Sequence, residues 1–557
     1  MKIGARMFSR WRALPPARQR GLAALGVGVL AAVLAVLFYS STWRTGDDAR
    51  YYCLGLSLAN GAGLRQYSHP EMPPETLTPP LYPALIAAVV RTTAHPVAWV
   101  KRLGNVLFTL SAALVVLVLS GTKRPTRAAG LGAGLGMCAV GFVSFASFVM
   151  ADMLFILLAY ASLWLAGRER HGGWAAFVLG CCGGLACLTR TAGLALAAAL
   201  LLPFLLRREW RNLLLVGLGL GLVVAPWYYW KAFRVPATGS YVAFADLWAQ
   251  IYRGQSLKDN FAWIMATEVV RDVPTYLLAV IPRHFFYNAE EIALGTRGWG
   301  AVCGLVGLGS AAGFLRRAWR WNAVDFFFAF SLLLIAATPG PIYDKSYFYP
   351  LLPIYAFYFF EAVERTAGRS GRRPAGRWPA RALWSGALAV FGFSLLLDFG
   401  AGAVHFIKEN PRRAYGPWAP ERFWAFRNEY DDAWARVSEA AAWIRTNAPA
   451  NALLLSRKPD HLFVMAGRRG WRYDIPKEVG AVTIMEAVGK FASAHRVLLL
   501  EDAFPTGEFI FTYGNNREYV LNNTVRKFPD RWRLLFATAA PTTRVWVYED
   551  KSGSAAN

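Results

Sequence analysis

Charge is scarce in this chain. Only 17% of its 557 residues are charged, against about a quarter in soluble domains. The deficit falls on the acids, with 35 Asp and Glu against 60 Lys and Arg. With 55% hydrophobic residues beside so little charge, a wholly water-soluble fold is excluded. Cysteine is sparse too. The six residues (Cys53, Cys138, Cys181, Cys182, Cys187, Cys303) end at 303, so the C-terminal part has no disulfide framework. The Cys181-Cys182-x4-Cys187 group lies in a Gly-rich run with no His nearby, which reads as small residues at helix contacts rather than a metal site. There is no Walker loop and no GxGxxG after a strand, so a nucleotide has no recognisable cradle. No repeat of fixed period and no long low-complexity tract occurs, which excludes solenoids and fibrous arrays. The net charge of +25 would ordinarily point to nucleic acid. Here the Arg and Lys sit in short links between apolar runs rather than on one face, so no nucleic-acid partner is expected.

What the chain does have is apolar runs of membrane-spanning length, about 20 residues each. Candidates are 21–42, 103–120, 128–147, 150–167, 174–190, 191–206, 212–230, 299–315, 322–338, 346–363 and 382–402. That makes about eleven spans, and the 22 Trp and 36 Phe suit interfacial belts and lipid contact. The first run follows Lys2, Arg6, Arg10, Arg12, Arg18 and Arg20 and ends in bulky residues without a small-x-small cleavage site, so a retained anchor is expected. Basic links alternate along the chain: Lys123-Arg124-x2-Arg127, Arg168-Glu169-Arg170, Arg207-Arg208-x2-Arg211, Arg316-Arg317-x2-Arg320 and the Arg365–Arg381 segment. By the positive-inside rule these are cytoplasmic, which puts the N-terminus inside and the C-terminus outside. The 79–94 run has only about 15 residues; it reads as an interfacial helix within a first outer loop, 43–102.

From 403 charge becomes frequent. Short apolar runs (Ala452–Ser456, Phe463–Ala466, Arg496–Glu501, Leu534–Ala537, Val545–Tyr548) alternate with helical patterns such as Trp434–Asn447. The expected layout is a transmembrane domain, 1–402, followed by a small outer-face α/β domain, 403–557.

The first outer loop opens GDDARYY. Asp47 and Asp48 stand where a helix begins, so either carboxylate fits an N-cap role. Either also fits a general base at the membrane boundary, its basicity raised by desolvation. Gly61-Ala-Gly63 should stop that helix. Asp152 lies at the outer end of the fourth run, in an N-terminal first turn or in a functional site. Asp325 falls near the cytoplasmic side, where snorkelling accounts for it. Candidate cations for an anionic substrate group are Arg190, Arg283 with His284, and Lys345; the alternative for each is a headgroup anchor.

Several segments taken in order resemble a known family. GDDARYY with a downstream PPLYP, the acid in MADMLF, TRTAGLAL, APWYYW and SYFYPLLP resemble the GT-C superfamily of membrane glycosyltransferases. Within it the resemblance is to the branch of protein O-mannosyltransferases and the lipid A aminoarabinose transferase. It implies a GT-C-like polytopic helical fold and hexosyl or pentosyl transfer from a polyprenyl-phosphate-linked donor to a hydroxyl on a lipid, protein or glycan acceptor. It also implies inversion at the anomeric carbon, in the cell (inner or plasma) membrane with the site on the extracytoplasmic side. By that analogy Asp47 is the base, with Asp48 beside it, and Asp152 shapes the donor or acceptor site. Tyr51, Tyr82, Arg190, Arg283, His284, Lys345 and Tyr347 are then substrate-binding candidates. The resemblance implies no definite cofactor; a divalent cation is compatible with it, although Asp47-Asp48 alone does not make a metal site. One departure is that Ser346-Tyr347, with Lys345 beside it, stands where relatives often carry Arg-Tyr. The rival readings are a transporter or flippase of lipid-linked sugars, which needs ionisable residues deep in the spans and inverted repeats, and a non-catalytic scaffold whose tail binds a partner.

Overall fold

The computed structural model describes residues 14–37, 43, 47–121, 127–139, 143, 146, 148–168, 172–233, 269–289, 295–318, 322–336, 345–370, 377–408, 429–472, 481–502, 524–540 and 542–549. Among them, each of the eleven apolar runs holds a helix. Four helices, Ala17–Val36, Pro96–Ser120, Trp210–Phe233 and Gly298–Arg317, are long and apolar enough to cross a membrane, so the chain is a membrane protein. Leu214, Leu218 and Leu222, spaced four apart on one of them, are 71%, 60% and 63% exposed, a stripe that only lipid would solvate well. Leu81–Thr92 is a helix of 12 residues. At 1.5 Å per residue it reaches about 18 Å, too short to span.

By internal contacts the chain divides into two compact units. One comprises Met1–Tyr39, Thr76–Tyr82 and Lys101–Val404; the other comprises Ser40–Glu75, Pro83–Val100 and His405–Asn557. Most of the first loop thus belongs to the same unit as the C-terminal α/β segment.

In the first unit, glycines let helices approach closely. A Cβ on Gly180 would lie 2.1 Å from the Val216 carbonyl oxygen, and one on Gly219 would lie 2.3 Å from that of Phe177. The helices Gly173–Cys187 and Trp210–Phe233 therefore meet backbone to backbone, the contact small residues make possible in lipid. Cys181 sits in that contact, its Sγ 3.3 Å from the same built Cβ on Gly219, in line with the packing reading of the cysteines. Within the 128–147 run the helix described is Arg127–Met137.

Asp325 corrects the snorkelling expectation. It is 3% exposed and receives Arg317 Nε at 3.0 Å, the Tyr358 hydroxyl at 2.7 Å and the Asn322 side-chain amide. Arg317 also meets Glu361 at 3.5 Å, and Glu361 pairs with Arg365. Buried charges persist only when matched, and this cluster ties together Gly295–Ala318, Ala323–Ala336 and Leu352–Ser370.

In the second unit the strands are β1 (Ala452–Ser456), β2 (Gly470–Arg472), β3 (Arg496–Glu501), β4 (Trp532–Ala537) and β5 (Arg544–Tyr548). The sheet order is β2-β1-β3-β5-β4. β1 is parallel to β2 and β3, β5 is antiparallel to β3, and β4 is antiparallel to β5. β1 reads ALLLS and is buried along its whole length, as a parallel strand covered on both faces must be. Leu455, Val497, Leu499, Val488 and Trp532 form its core with Tyr548. Phe463–Ala466, expected as a strand, is the end of a helix, Pro459–Ala466. Pro459 pre-sets its first turn, and Gly467 closes it in the left-handed region at φ 69°. β2 was not anticipated.

Candidate functional site

The acid pair of the first loop is built by one helix start. Asp48–Ala59 forms a helix, and its end is fixed by Gly61 at φ 75° and Gly63 at φ 78°. Arg91 caps its last carbonyls, with Nε on Ala59 at 2.9 Å and Nη2 on Leu58 at 3.1 Å. Arg50 of the same helix pairs with Glu75 at 2.7 Å. Gly55 lies hard against Ile86: a Cβ there would be 2.3 Å from Ile86 Cγ2.

The two acids have opposite surroundings. Asp47 is exposed and stands in the N-cap position, φ −115° and ψ −7°, yet its side chain makes no capping hydrogen bond. Only its carbonyl takes part in the helix, accepting the Tyr51 amide at 2.9 Å. Asp48 is fully buried, and its Oδ1 accepts from the Ala49 amide at 2.7 Å and from His461 Nε2 at 2.7 Å. His461 is itself 1% exposed and packs its ring 4.8 Å from that of Trp434. Its helix meets the loop elsewhere too: Ser68 Oγ donates to Asp460 Oδ1, and Cys53 Sγ lies 3.8 Å from the Asp460 carbonyl oxygen. Burial, then the Asp460 and Asp48 charges, push the Cys53 thiol well above its ordinary value. Burial, with Cys53 adding to it, pushes the neighbouring Tyr52 hydroxyl up to about 12. Tyr51 is buried.

In the other unit, three expected site residues come together. Asp152, the first residue of Asp152–Ala166 and 1% exposed, receives Arg190 Nη1. Arg190 sits on the turn between Gly173–Cys187 and Gly193–Leu206, where its carbonyl accepts the Gly193 amide at 2.9 Å. Its guanidinium lies 5.0 Å from the centre of the Tyr347 ring. His284 is buried with its ring 5.7 Å from that of Phe348, the residue after Tyr347. Arg283 is exposed, and Tyr82 is fully buried. Lys345 opens the short helix Lys345–Phe348, but its side chain falls outside the described residues. A guanidinium presents its N–H donors in a planar fork, and the bond to Asp152 fixes the direction in which Arg190 points.

His461, the partner of Asp48, is the residue of this contact that sequence reasoning missed. Its signal is the cluster Arg457-Lys458-Pro459-Asp460-His461 directly after a wholly apolar strand, where loops of α/β sheets carry their binding residues. Among the described residues no three His, Cys, Asp or Glu side chains converge on a point.

No protein-family profile matches the sequence, and no curated protein sequence matches it. Solved structures do match. The archaeal oligosaccharyltransferase AglB from Archaeoglobus fulgidus, in complex with an inhibitory peptide and a dolichol-phosphate, is 15% identical with a TM-score of 0.55, covering 95% of this chain and 74% of that one. ArnT from Cupriavidus metallidurans bound to undecaprenyl phosphate is 11% identical with a TM-score of 0.52, covering 95% of this chain and 98% of that one. Its apo form is 13% identical with a TM-score of 0.50 over 94% and 98%. At such identities the likeness is one of fold alone, shared with AglB and ArnT over nearly the whole of this chain.

Proposed function

We propose that the protein is an inverting glycosyltransferase that moves a sugar from a polyprenyl-phosphate donor to a hydroxyl acceptor at the extracytoplasmic face of the cell membrane, with Asp47 as general base. The observation that carries this reading is the contrast in the acid pair. A carboxylate at a helix start is most simply a cap, and Asp47 stands in that position without making the bond. Support comes from the fold, since two proteins that share it hold dolichol-phosphate and undecaprenyl phosphate. A lipid-linked donor also needs no nucleotide cradle, and the sequence has none.

In the proposed reaction the acceptor O–H gives its proton to the Asp47 carboxylate as its oxygen bonds to the anomeric carbon. The bond from that carbon to the phosphate oxygen breaks on the opposite face, and polyprenyl phosphate leaves with the electron pair. Charge develops on the departing phosphate, where a fixed cation stabilises the transition state. Arg190, aimed by Asp152 and stacked on Tyr347, is the candidate for that role. A carrier of lipid-linked sugars would need ionisable groups deep in the spans that change partners. Arg317, Asp325 and Glu361 are buried but already matched with one another.

The test is sugar transfer from a polyprenyl-phosphate-linked donor by the full-length protein in liposomes, comparing wild type with Asp47→Asn. Loss of the base should cost roughly 10²–10⁴-fold in turnover. Turnover near wild type in that variant removes the assignment, and movement of labelled lipid without sugar transfer would favour the carrier.

A further inference from the structure

We infer that Asp48 is not a second catalytic acid but the anchor of the first-loop helix, and that His461 of the α/β segment is the positioning residue holding it so that Asp47 faces outward. This rests on the reading of Asp47 as the base. Successive residues on a helix are turned by about 100°. A contact that fixes Asp48 inward therefore fixes Asp47 away from the same surface. The geometry on both sides of the contact is built for this. Asp48 Oδ1 takes two donors at 2.7 Å, one from its own helix start and one from His461. Both side chains lie beyond the reach of solvent, and the imidazole is braced by the Trp434 ring.

The position of His461 in the sheet explains why this helix does the holding. β1 lies between β2 and β3, and the chain leaves β1 toward β2 while β3 pairs outward with β5. The carboxyl ends of β1 and β3 therefore flank the point where the winding changes direction, the usual binding crevice of an α/β sheet. The Arg457–Asp502 ion pair sits on the residues following these two strands, and His461 follows two residues after Pro459 starts the next helix. The edge that binds a separate ligand in other α/β domains here grips the chain's own loop. Secondary contacts run along the same helix, Ser68 to Asp460 and the Tyr67 and Phe463 rings at 5.7 Å, and continue at β2, where the Gly470 amide meets the Ser68 carbonyl at 2.8 Å. Of these contacts the His461 bond is the one that reaches the residue next to Asp47.

Four full-length variants separate anchoring from chemistry, each read by hydrogen exchange over residues 48–59 and by kcat and KM for transfer from a polyprenyl-phosphate-linked sugar. His461→Ala should raise exchange over 48–59 by at least about tenfold, since the buried Asp48 carboxylate loses its contact with the α/β segment. It should also lower kcat at least about tenfold while KM for the donor moves much less, the signature of a misplaced base. His461→Gln, whose amide can donate to the same oxygen, should recover most of both losses. Asp48→Asn keeps an acceptor for both donors; it should hold wild-type exchange and lose less than roughly tenfold in kcat, whereas Asp47→Asn, also with wild-type exchange, loses roughly 10²-fold or more. If Asp48→Asn matches the loss in Asp47→Asn while exchange stays at wild type, Asp48 acts in the chemistry and the inference falls. Unchanged exchange in His461→Ala sinks it as well. Should Asp47→Asn stay active while His461→Ala still loosens 48–59, the base assignment fails and the anchor survives.

Discussion

Replacing Arg190 by Gln should destabilise the protein and stop transfer, and a second substitution should undo the first effect without the second. Asp152 is 1% exposed and Arg190 is mostly buried, with 14% of its side chain accessible. Removing one partner of a buried ion pair costs about 3–5 kcal/mol, because the remaining charge has lost its solvation and its counter-ion together. At about 1.4 kcal/mol per decade that is roughly two to three and a half powers of ten in the folded-to-unfolded ratio. Replacing both partners by neutral amides, Asp152→Asn with Arg190→Gln, leaves no uncompensated buried charge, so the penalty of breaking the pair falls away. Unfolding in mixed SDS and detergent micelles, followed by Trp fluorescence, should therefore place Arg190→Gln well below wild type and the double variant near it. Transfer should remain down by roughly 10²-fold or more in both, the scale of losing a fixed charge-stabilising group. A double variant that recovers turnover along with stability would refute the role of Arg190 at the phosphate. A stable Arg190→Gln would refute the account of the pair as a buried, mutually dependent unit.

Two further predictions follow from ionisation. Burial with nearby Asp460 and Asp48 keeps the Cys53 thiol protonated, so a maleimide at pH 8 should modify Cys53 only after unfolding, as mapped by peptide mass spectrometry; rapid native labelling would contradict the packing. His69 has its imidazole pKa lowered by burial, against an opposing pull from Glu71 and Asp460, and its Nδ1 accepts the Glu71 amide at 3.1 Å. The unfolded chain then binds more protons than the folded one below about pH 6.5, so wild type should lose stability as pH falls through that value. His69→Gln lacks the ionisation, and its melting temperature relative to wild type should rise on acidification; a difference independent of pH would show that burial does not govern the group.

The helices were legible because lipid demands long apolar runs, and the four spanning helices come from such runs with little else to decode. The strands at Ala452–Ser456 and Arg496–Glu501 were legible for a related reason, since a strand buried on both faces has no polar alternation to obscure it. Phe463–Ala466 misled because four apolar residues carry no period, and Pro459 and Gly467, its real boundary signals, lie outside them. Asp152 and Arg190 stand out in the sequence as polar residues at helix ends and Tyr347 only through the resemblance, yet their convergence needs three segments of chain to fold together. The Asp325 cluster was misread because snorkelling and pairing look alike in one dimension. Only the positions of Arg317 and Tyr358 tell them apart. His461 lies 413 residues from Asp48, and no local pattern joins them.

That separation bears on how the α/β segment is regarded. Read along the sequence it looks like an appendage that begins near 403, removable without touching the first loop. The structure counts Ser40–Glu75 and Pro83–Val100 in the same compact unit as His405–Asn557. Truncation after Val404 would remove His461, the Asp460 acceptor of Ser68 and the carbonyl partner of Cys53 in one cut. Asp48 would keep its charge but lose the His461 donor and the packing that buries it, and the cheapest response of the chain is for the 48–59 helix to turn or fray until that carboxylate meets water. The truncated protein should therefore lose transfer by at least as much as His461→Ala, with exchange over 48–59 raised further, even where Trp210–Phe233 and the other spanning helices still insert. Measured in liposomes beside the full-length chain, a truncated protein with wild-type turnover would show that the loop orients itself without help, and the division of labour between the two acids would have to be abandoned.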